Sequence, residues 1–303
     1  MALAPASKSK LEVLGKLLSG ICVLCTISLV FTLISMVALQ GISSFLSGEV
    51  RLIDFLTSTE WKPNVKDADG MRLAGALPMI CGSFLVTIIS TLIAAPLAIG
   101  SAIYVVEYKP EFGKRIFQPG IELLVGIPSV VYGLIGLSIV VPFMRNLAGG
   151  TGYGILSGSL VLSIMVLPTI TSLAIDALAA VPQDYRQGAL ALGSTRWQMI
   201  YKVVLKAALP ALMTSVILGM TRAFGEALAV QMIIGNAAVM PDGLFTPAST
   251  LTSVLTMGMG NTVTGSIEHN LLWSLALLLL LISLLFILLV RGVSSRNSLK
   301  GSR

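Results

Sequence analysis

Residues 176–205 read DALAAVPQDYRQGALALGSTRWQMIYKVVL, a polar island between two long apolar stretches. Pro182 suits the first position of a helix, where its missing N–H costs nothing. Asp184 falls in the first turn, where the helix dipole favours a carboxylate. Gly193 stops that helix, because glycine accepts the left-handed backbone of a C-terminal cap. Thr195 and Gln198 make a T-x-x-Q capping box and start a new helix. The spacing predicts a short helix over 182–192, a sharp turn, and a second helix running into the apolar stretch that follows. Such a segment is either an amphipathic connector or a docking element. The short, Ala-rich first helix, held by two stop signals, favours docking in another protein's groove.

The flanking stretches place the chain in a bilayer. Of 303 residues, 55% are hydrophobic and 11% charged, with a mean hydropathy of +0.92. Soluble domains carry roughly 25% charged residues. Runs at 17–39, 77–106, 117–143, 153–175, 203–234 and 271–290 each meet the ~20 apolar residues a crossing needs. None alternates in polarity, which argues against barrel strands. The first run follows Lys8, Lys10 and Lys16 like a signal peptide. It is too long for one and lacks a small-residue cleavage site, so an uncleaved helix is expected. The chain divides into an N-tail (1–16), a first helix (17–46), a loop (47–72) with a short interfacial helix around Trp61, a core (73–293) and a C-tail (294–303). Lys and Arg sort fourteen to five between the two sets of loops. The richer set holds both ends and 176–202, so these face the cytoplasm. The net charge of +6 then anchors the inner surface to anionic lipid, and nothing points to nucleic acid.

Enzymatic chemistry finds little support. Cys22 and Cys25 form a C-x-x-C inside the first apolar run, with no second pair and no nearby histidine, and read, like Cys81, as small buried side chains. No P-loop is present; FGKR at 112–115 lacks the preceding glycine and the hydroxyl residue. AGGTGYG at 148–154 reads as a turn between helices rather than a phosphate cradle. The single histidine, His269, has no evident serine partner. No catalytic residue, metal site or bound cofactor is expected.

Two charges lie within the fifth run. Arg222 and Glu226 sit four residues apart in LGMTRAFGEALAV, 218–230. An arginine at the bilayer centre costs roughly 2.5–3.5 kcal/mol on insertion scales and normally faces a bundle interior or a water-filled path. One reading makes the two an i,i+4 ion pair, although Arg-then-Glu is the weaker order. The other lets Arg222 attract an anion while Glu226 holds it in place. Glu122, near the start of the third run, reads as structural. Pro128 breaks the helix ladder and brings Ser129 and Tyr132 into consideration as path residues.

GALALGSTRWQMIYKVVLKAALP, 188–210, resembles the EAA loop of ABC importer permeases, E-A-A-x-x-x-G followed nine residues later by I-x-L-P. Ala189, Gly193, Val203 and Leu205 match; Gln187 replaces the Glu, Gly188 the first Ala and Lys206 the Pro. IELLVGIPSVVYGLIGL (121–137) and RAFGEALAVQMIIGN (222–236) resemble the phosphate branch, in its PstC type. The resemblance implies an all-α bundle of six transmembrane helices of the type I (MetI-like) importer class, in the bacterial cytoplasmic (inner) membrane. It implies that Tyr185, Arg186, Gln187, Gly188, Ala189 and Gly193 form the element that couples to an ATPase, and it favours the path reading of Arg222 and Glu226 over the ion pair; Ser129 and Tyr132 are further candidates for the substrate path, with packing as the alternative. It further implies a PstA-like second permease, two PstB-like ATPases holding ATP and Mg, a PstS-like binding protein, and inorganic phosphate as cargo. An importer of another oxyanion or phosphonate, or an ion-coupled secondary transporter, is the alternative.

Overall fold

The computed structural model describes residues 5–68 and 70–298. Lys300 and Arg303 of the basic C-tail lie outside the described residues. The elements, in order, are α1 (Pro5–Leu46), α2 (Leu52–Thr57), β1 (Trp61–Lys66), β2 (Arg72–Ala74), α3 (Leu77–Ile103), α4 (Pro110–Phe112), α5 (Gln118–Gly126), α6 (Ser129–Ile135), α7 (Val141–Ala148), α8 (Ile155–Ala179), α9 (Gln183–Ala191), α10 (Arg196–Met199), α11 (Leu205–Phe224), α12 (Leu228–Ile233), α13 (Leu251–Asn261) and α14 (Ile267–Ser298). Wider π turns at Tyr104–Tyr108, Gly113–Phe117, Gly136–Val140 and Ile200–Val204 extend or join them.

Among the described residues, six stretches are long and apolar enough to cross a membrane: Glu12–Leu46, Leu77–Tyr108, Ser129–Ala148, Ile155–Ala179, Arg196–Phe224 and Ile267–Leu289. The all-helical, six-crossing expectation is met. Two boundaries move. The third run is not one helix: it stops at Gly126, turns through Ile127 and Pro128, and restarts at Ser129. Proline cannot donate to the ladder and pushes its predecessor out of the helical region. The fifth crossing begins at Arg196 and ends at Phe224, and 228–233 forms the separate α12.

α3 and α8 form the central pair, flanked by α11 and α12, with Val86, Val166, Ile170, Ala229 and Ile233 buried between them. A second cluster, with Phe55, Met79, Phe224, Leu251 and Leu271, closes the end that carries the β1–β2 hairpin. A third, with Ala174, Leu178, Met199, Ile200 and Val204, closes the end that carries α9. Several buried hydroxyls return to carbonyls of their own helix, as Ser159 to Ile155 (2.7 Å) and Thr171 to Leu167 (2.7 Å), which satisfies them within the apolar interior; Ser44 Oγ and Trp273 Nε1 are buried without a partner among the described residues. Leu17, Leu24, Phe31 and Leu39 of α1 are exposed, as lipid contact requires. Cys22 and Cys25 on the same helix are exposed rather than buried as expected, because no described residue packs on that part of α1, while Cys81 is half-buried. Near its end α1 docks on α14, where Gly41 lets the helices close and Ser274 donates to the Gly41 carbonyl at 2.8 Å.

The loop after α1 differs from the expected interfacial helix around Trp61. The helix lies earlier, at Leu52–Thr57, and Trp61 opens β1, which pairs antiparallel with β2. Pro63 and Val65 favour extended backbone over helix. Arg72 clips this hairpin down: Nε donates to Glu49 Oε2 at 2.7 Å and Nη1 to the Pro63 carbonyl at 3.0 Å.

Candidate functional site

The membrane charges sit where α11 ends. Arg222 occupies its last turn; Gly225 caps it, and the chain turns before α12 starts at Leu228. Glu226 therefore does not lie one helical turn above Arg222. Among the described residues no ion pair joins them. Arg222 instead donates from Nη1 to Thr169 Oγ1 at 2.6 Å, across to α8 just past its midpoint, and the arginine stays exposed. Glu226 Oε1 accepts the Ala229 N–H at 3.3 Å, in the first turn of α12, where the free amide of a helix start favours an anion. Its carbonyl accepts the Thr252 hydroxyl at 2.8 Å. The i,i+4 pair is thus replaced by two separate arrangements: a guanidinium held by a neutral hydroxyl, and a carboxylate built into the start of the next helix.

Tyr132 is buried, lies within electrostatic reach of Arg222, and donates its hydroxyl to the Leu124 carbonyl at 2.9 Å. That bond spans the break at Pro128 and supplements the long 3.4 Å bond that the Ile127 N–H makes to the same carbonyl at the end of α5. Ser129 opens α6, half-buried, and no side-chain hydrogen bond is found for it among the described residues. Glu122 is exposed on α5, on the far side of the break from the third crossing. His269 lies in the first turns of α14, with Nδ1 3.0 Å from the Thr262 hydroxyl.

The polar island folds as its spacing predicts. α9 spans Gln183–Ala191, with Pro182 as its cap residue rather than its first helical one. Gly193 adopts φ +81°, and Thr195 and Gln198 complete the capping box. The side chains divide. Tyr185, Gln187 and Gly188 face outward, Ala189 is half-buried, and Leu192 is 91% exposed, near the exposed Leu190, Trp197 and Tyr201. An apolar and aromatic surface of this kind marks a contact site. Beside it lies a cleft of about 600 Å³ lined by Glu107, Pro110, Gln183, Leu190, Arg196 and Met199.

Arg186 turns the other way. It is 8% exposed and meets Glu107, 6% exposed, at 2.8 Å. Glu107 falls one residue past the end of the second apolar run, so run length alone does not mark it. Thr169 was likewise unmarked; the available signal was a hydroxyl directly after Pro168 inside an apolar helix.

A six-crossing helical bundle with a broken fifth crossing, an open intramembrane arginine and an exposed capped hairpin is a membrane permease. The family model described as "Binding-protein-dependent transport system inner membrane component" matches residues 94–298, and the chain belongs to that family, whose members are ABC importer permeases and not enzymes. It is 52% identical over 287 residues to a probable ABC transporter permease protein, YqgH, of Bacillus subtilis, covering 94% of this chain and 92% of that one. It is 34% identical over 261 residues to the phosphate transport system permease protein PstC of Xylella fastidiosa, covering 78% of each. Among solved structures, an inward-facing MetNI methionine ABC transporter matches with a TM-score of 0.52 at 18% identity, over 71% of this chain and 94% of that one. An amino acid ABC transporter matches with a TM-score of 0.52 at 15% identity, over 72% and 92%. These two share the fold.

Proposed function

We propose that the chain is a permease subunit of an ATP-driven importer of inorganic phosphate, with both termini and α9 in the cytoplasm. Arg222 carries the reading. A guanidinium this far into an apolar bundle is costly unless it faces water or a counter-charge, and among the described residues its one hydrogen-bond partner is the neutral Thr169 hydroxyl. An arginine so held keeps donors free to grip two oxygens of an oxyanion at once. The 34% identity to a PstC protein points to phosphate among the oxyanions. Glu226, seated next to the break, limits how tightly the anion is held, which release requires. ATP is hydrolysed by separate ATPase subunits docked on the exposed surface around Tyr185, Gln187, Leu192 and Trp197. A binding protein delivers the anion at the hairpin end, and a second permease completes the path.

The test is Arg222→Gln in vesicles carrying the assembled transporter. Labelled phosphate uptake is lost while the protein remains in the membrane at native level. Uptake at the native rate by this variant refutes the role of Arg222. No labelled phosphate uptake by the native transporter, with labelled sulfate or phosphonate taken up instead, assigns another oxyanion.

A further inference from the structure

We propose that the buried Glu107–Arg186 pair is a positioning link that carries motion of α9 along α3 to the segment holding Glu226. It deepens the import reading above and rests on it. Arg186 gathers three elements in one side chain. Its Nε and Nη2 donate to Glu107 Oε1 at 3.1 and 2.8 Å, Nη2 also donates to the Leu178 carbonyl at 2.9 Å, and Nη1 donates to the Val181 carbonyl. The coupling helix is thereby fastened to the end of α8 and to the end of α3. The second helix of the hairpin grips the same residue: Arg196 donates Nη2 to the Glu107 carbonyl, and its guanidinium lies 4.9 Å from the centre of the Tyr108 ring. Both helices flanking the Gly193 turn thus hold one residue of α3's terminal π turn.

The opposite end of α3 is seated just as firmly. A side chain on Gly82 would lie 2.1 Å from the Ser249 carbonyl oxygen, so helix and loop are in direct backbone contact. Ser83 Oγ accepts the Leu251 N–H at 2.9 Å, and Thr252, one residue on, donates to the Glu226 carbonyl at 2.8 Å. From Ser83 to Glu107 a helix reaches about 36 Å. A shift of α9 therefore has a continuous path of fixed contacts to Glu226. Stability alone gives little reason for charges at 107 and 186, since well-packed apolar residues serve a buried position as well as an ion pair. The π turn at Tyr104–Tyr108 adds a wider loop of backbone next to the pair, of the sort often found at functional sites.

The experiment uses the complete transporter in vesicles, with ATP inside and labelled inorganic phosphate outside. It measures the ATPase retained on purification, ATP hydrolysed, and phosphate taken up per ATP. Glu107→Gln keeps an acceptor but removes the charge. The ATPase stays bound and hydrolysis changes less than about twofold, while uptake per ATP falls about tenfold, within the usual span of coupling between sites. Arg186→Lys keeps the charge without the fork and gives an intermediate ratio; Glu107→Gln combined with Arg186→Gln is no worse than the first variant alone. Native uptake per ATP in assembled Glu107→Gln overturns the link. Loss of the bound ATPase in step with uptake across all the variants also overturns it, by making the pair a folding or docking determinant. A native chain that retains no ATPase overturns the import reading and the link with it.

Discussion

Replacing Gly82 with alanine tests how rigidly α3 is seated at the hairpin end. The added Cβ would stand 2.1 Å from the Ser249 oxygen and 3.2 Å from its carbonyl carbon. Ordinary contact needs roughly 1 Å more, and backbone cannot swing aside as a flexible side chain does. Ser249 is fully buried, so either its loop or α3 must retreat. A retreat of that size stretches the Leu251 N–H bond to Ser83 from 2.9 Å beyond hydrogen-bonding range. Overpacking costs about 1–3 kcal/mol and each lost buried hydrogen bond about 1 kcal/mol more. The expected destabilisation is thus about 2–4 kcal/mol, summed from those ranges. Gly100 on the same helix is the control, because nothing lies within 4 Å of its would-be Cβ. Gly100→Ala gains about 0.5–1 kcal/mol from the lower helix cost of alanine. The assay is the midpoint of heat-induced loss of the monodisperse transporter in detergent, with phosphate uptake measured alongside. Gly82→Ala lowers the midpoint by several degrees and slows uptake; Gly100→Ala leaves both at or above native. Equal midpoints for the two variants refute the close contact between α3 and the 249–251 segment.

Two further outcomes follow from local chemistry. The hydrogen bond from Arg72, aided by the Lys66 and Arg72 charges, holds the Glu49 carboxyl below its ordinary value of 4.5 against the opposing effect of burial. A carboxyl lowered in the folded state stabilises fully above its unfolded value and loses that contribution as pH falls through the folded one. Hydrogen exchange across 61–74, corrected for intrinsic rate, therefore speeds up below about pH 4.5 relative to pH 7. Glu49→Gln removes that acid dependence, and a native-like pH profile in the variant counts against the clip. At the other end, Thr195→Ala removes the cap from the Gln198 N–H at a cost of about 1 kcal/mol, equivalent to roughly fivefold faster tryptic cleavage after Arg196 if cutting follows local opening. Unchanged cleavage refutes the cap's contribution.

The fold was largely legible because its signals are local. Six apolar runs need only length, and the α9 turn is written in Asp184, Gly193, Thr195 and Gln198. Each of these acts on backbone within four residues of itself, and the structure keeps every one of these roles, with Pro182 displaced by a single position. Breaks were harder to place. Pro128 signals a break, yet 117–143 still has the hydropathy of one crossing, because hydropathy registers apolar character and not whether the ladder continues. The same blindness joined 225–234 to the fifth crossing. The Trp61 hairpin was missed because its pairing depends on Arg72 reaching back to Glu49 and Pro63, contacts that no short window contains.

The charges show the same division, and it decides what each can do. Arg222 and Glu226 looked like a pair because four residues make one turn, but that geometry exists only while the helix continues. Once α11 stops at Phe224, the chain itself separates the two groups: the carboxylate goes to the start of α12, and the guanidinium is left with a threonine. The buried ion pair, Glu107–Arg186, joins residues 79 positions apart. A carboxylate at the end of one crossing and an arginine in the turn before another are unremarkable separately. Packed together with 5% and 10% of their side chains exposed, they neutralise each other. Arg222 has no such neutralisation among the described residues. The two arginines consequently differ: Arg186 is committed to holding α9 to the bundle, and Arg222 keeps an unbalanced charge among the described residues, which is what the proposed anion path requires.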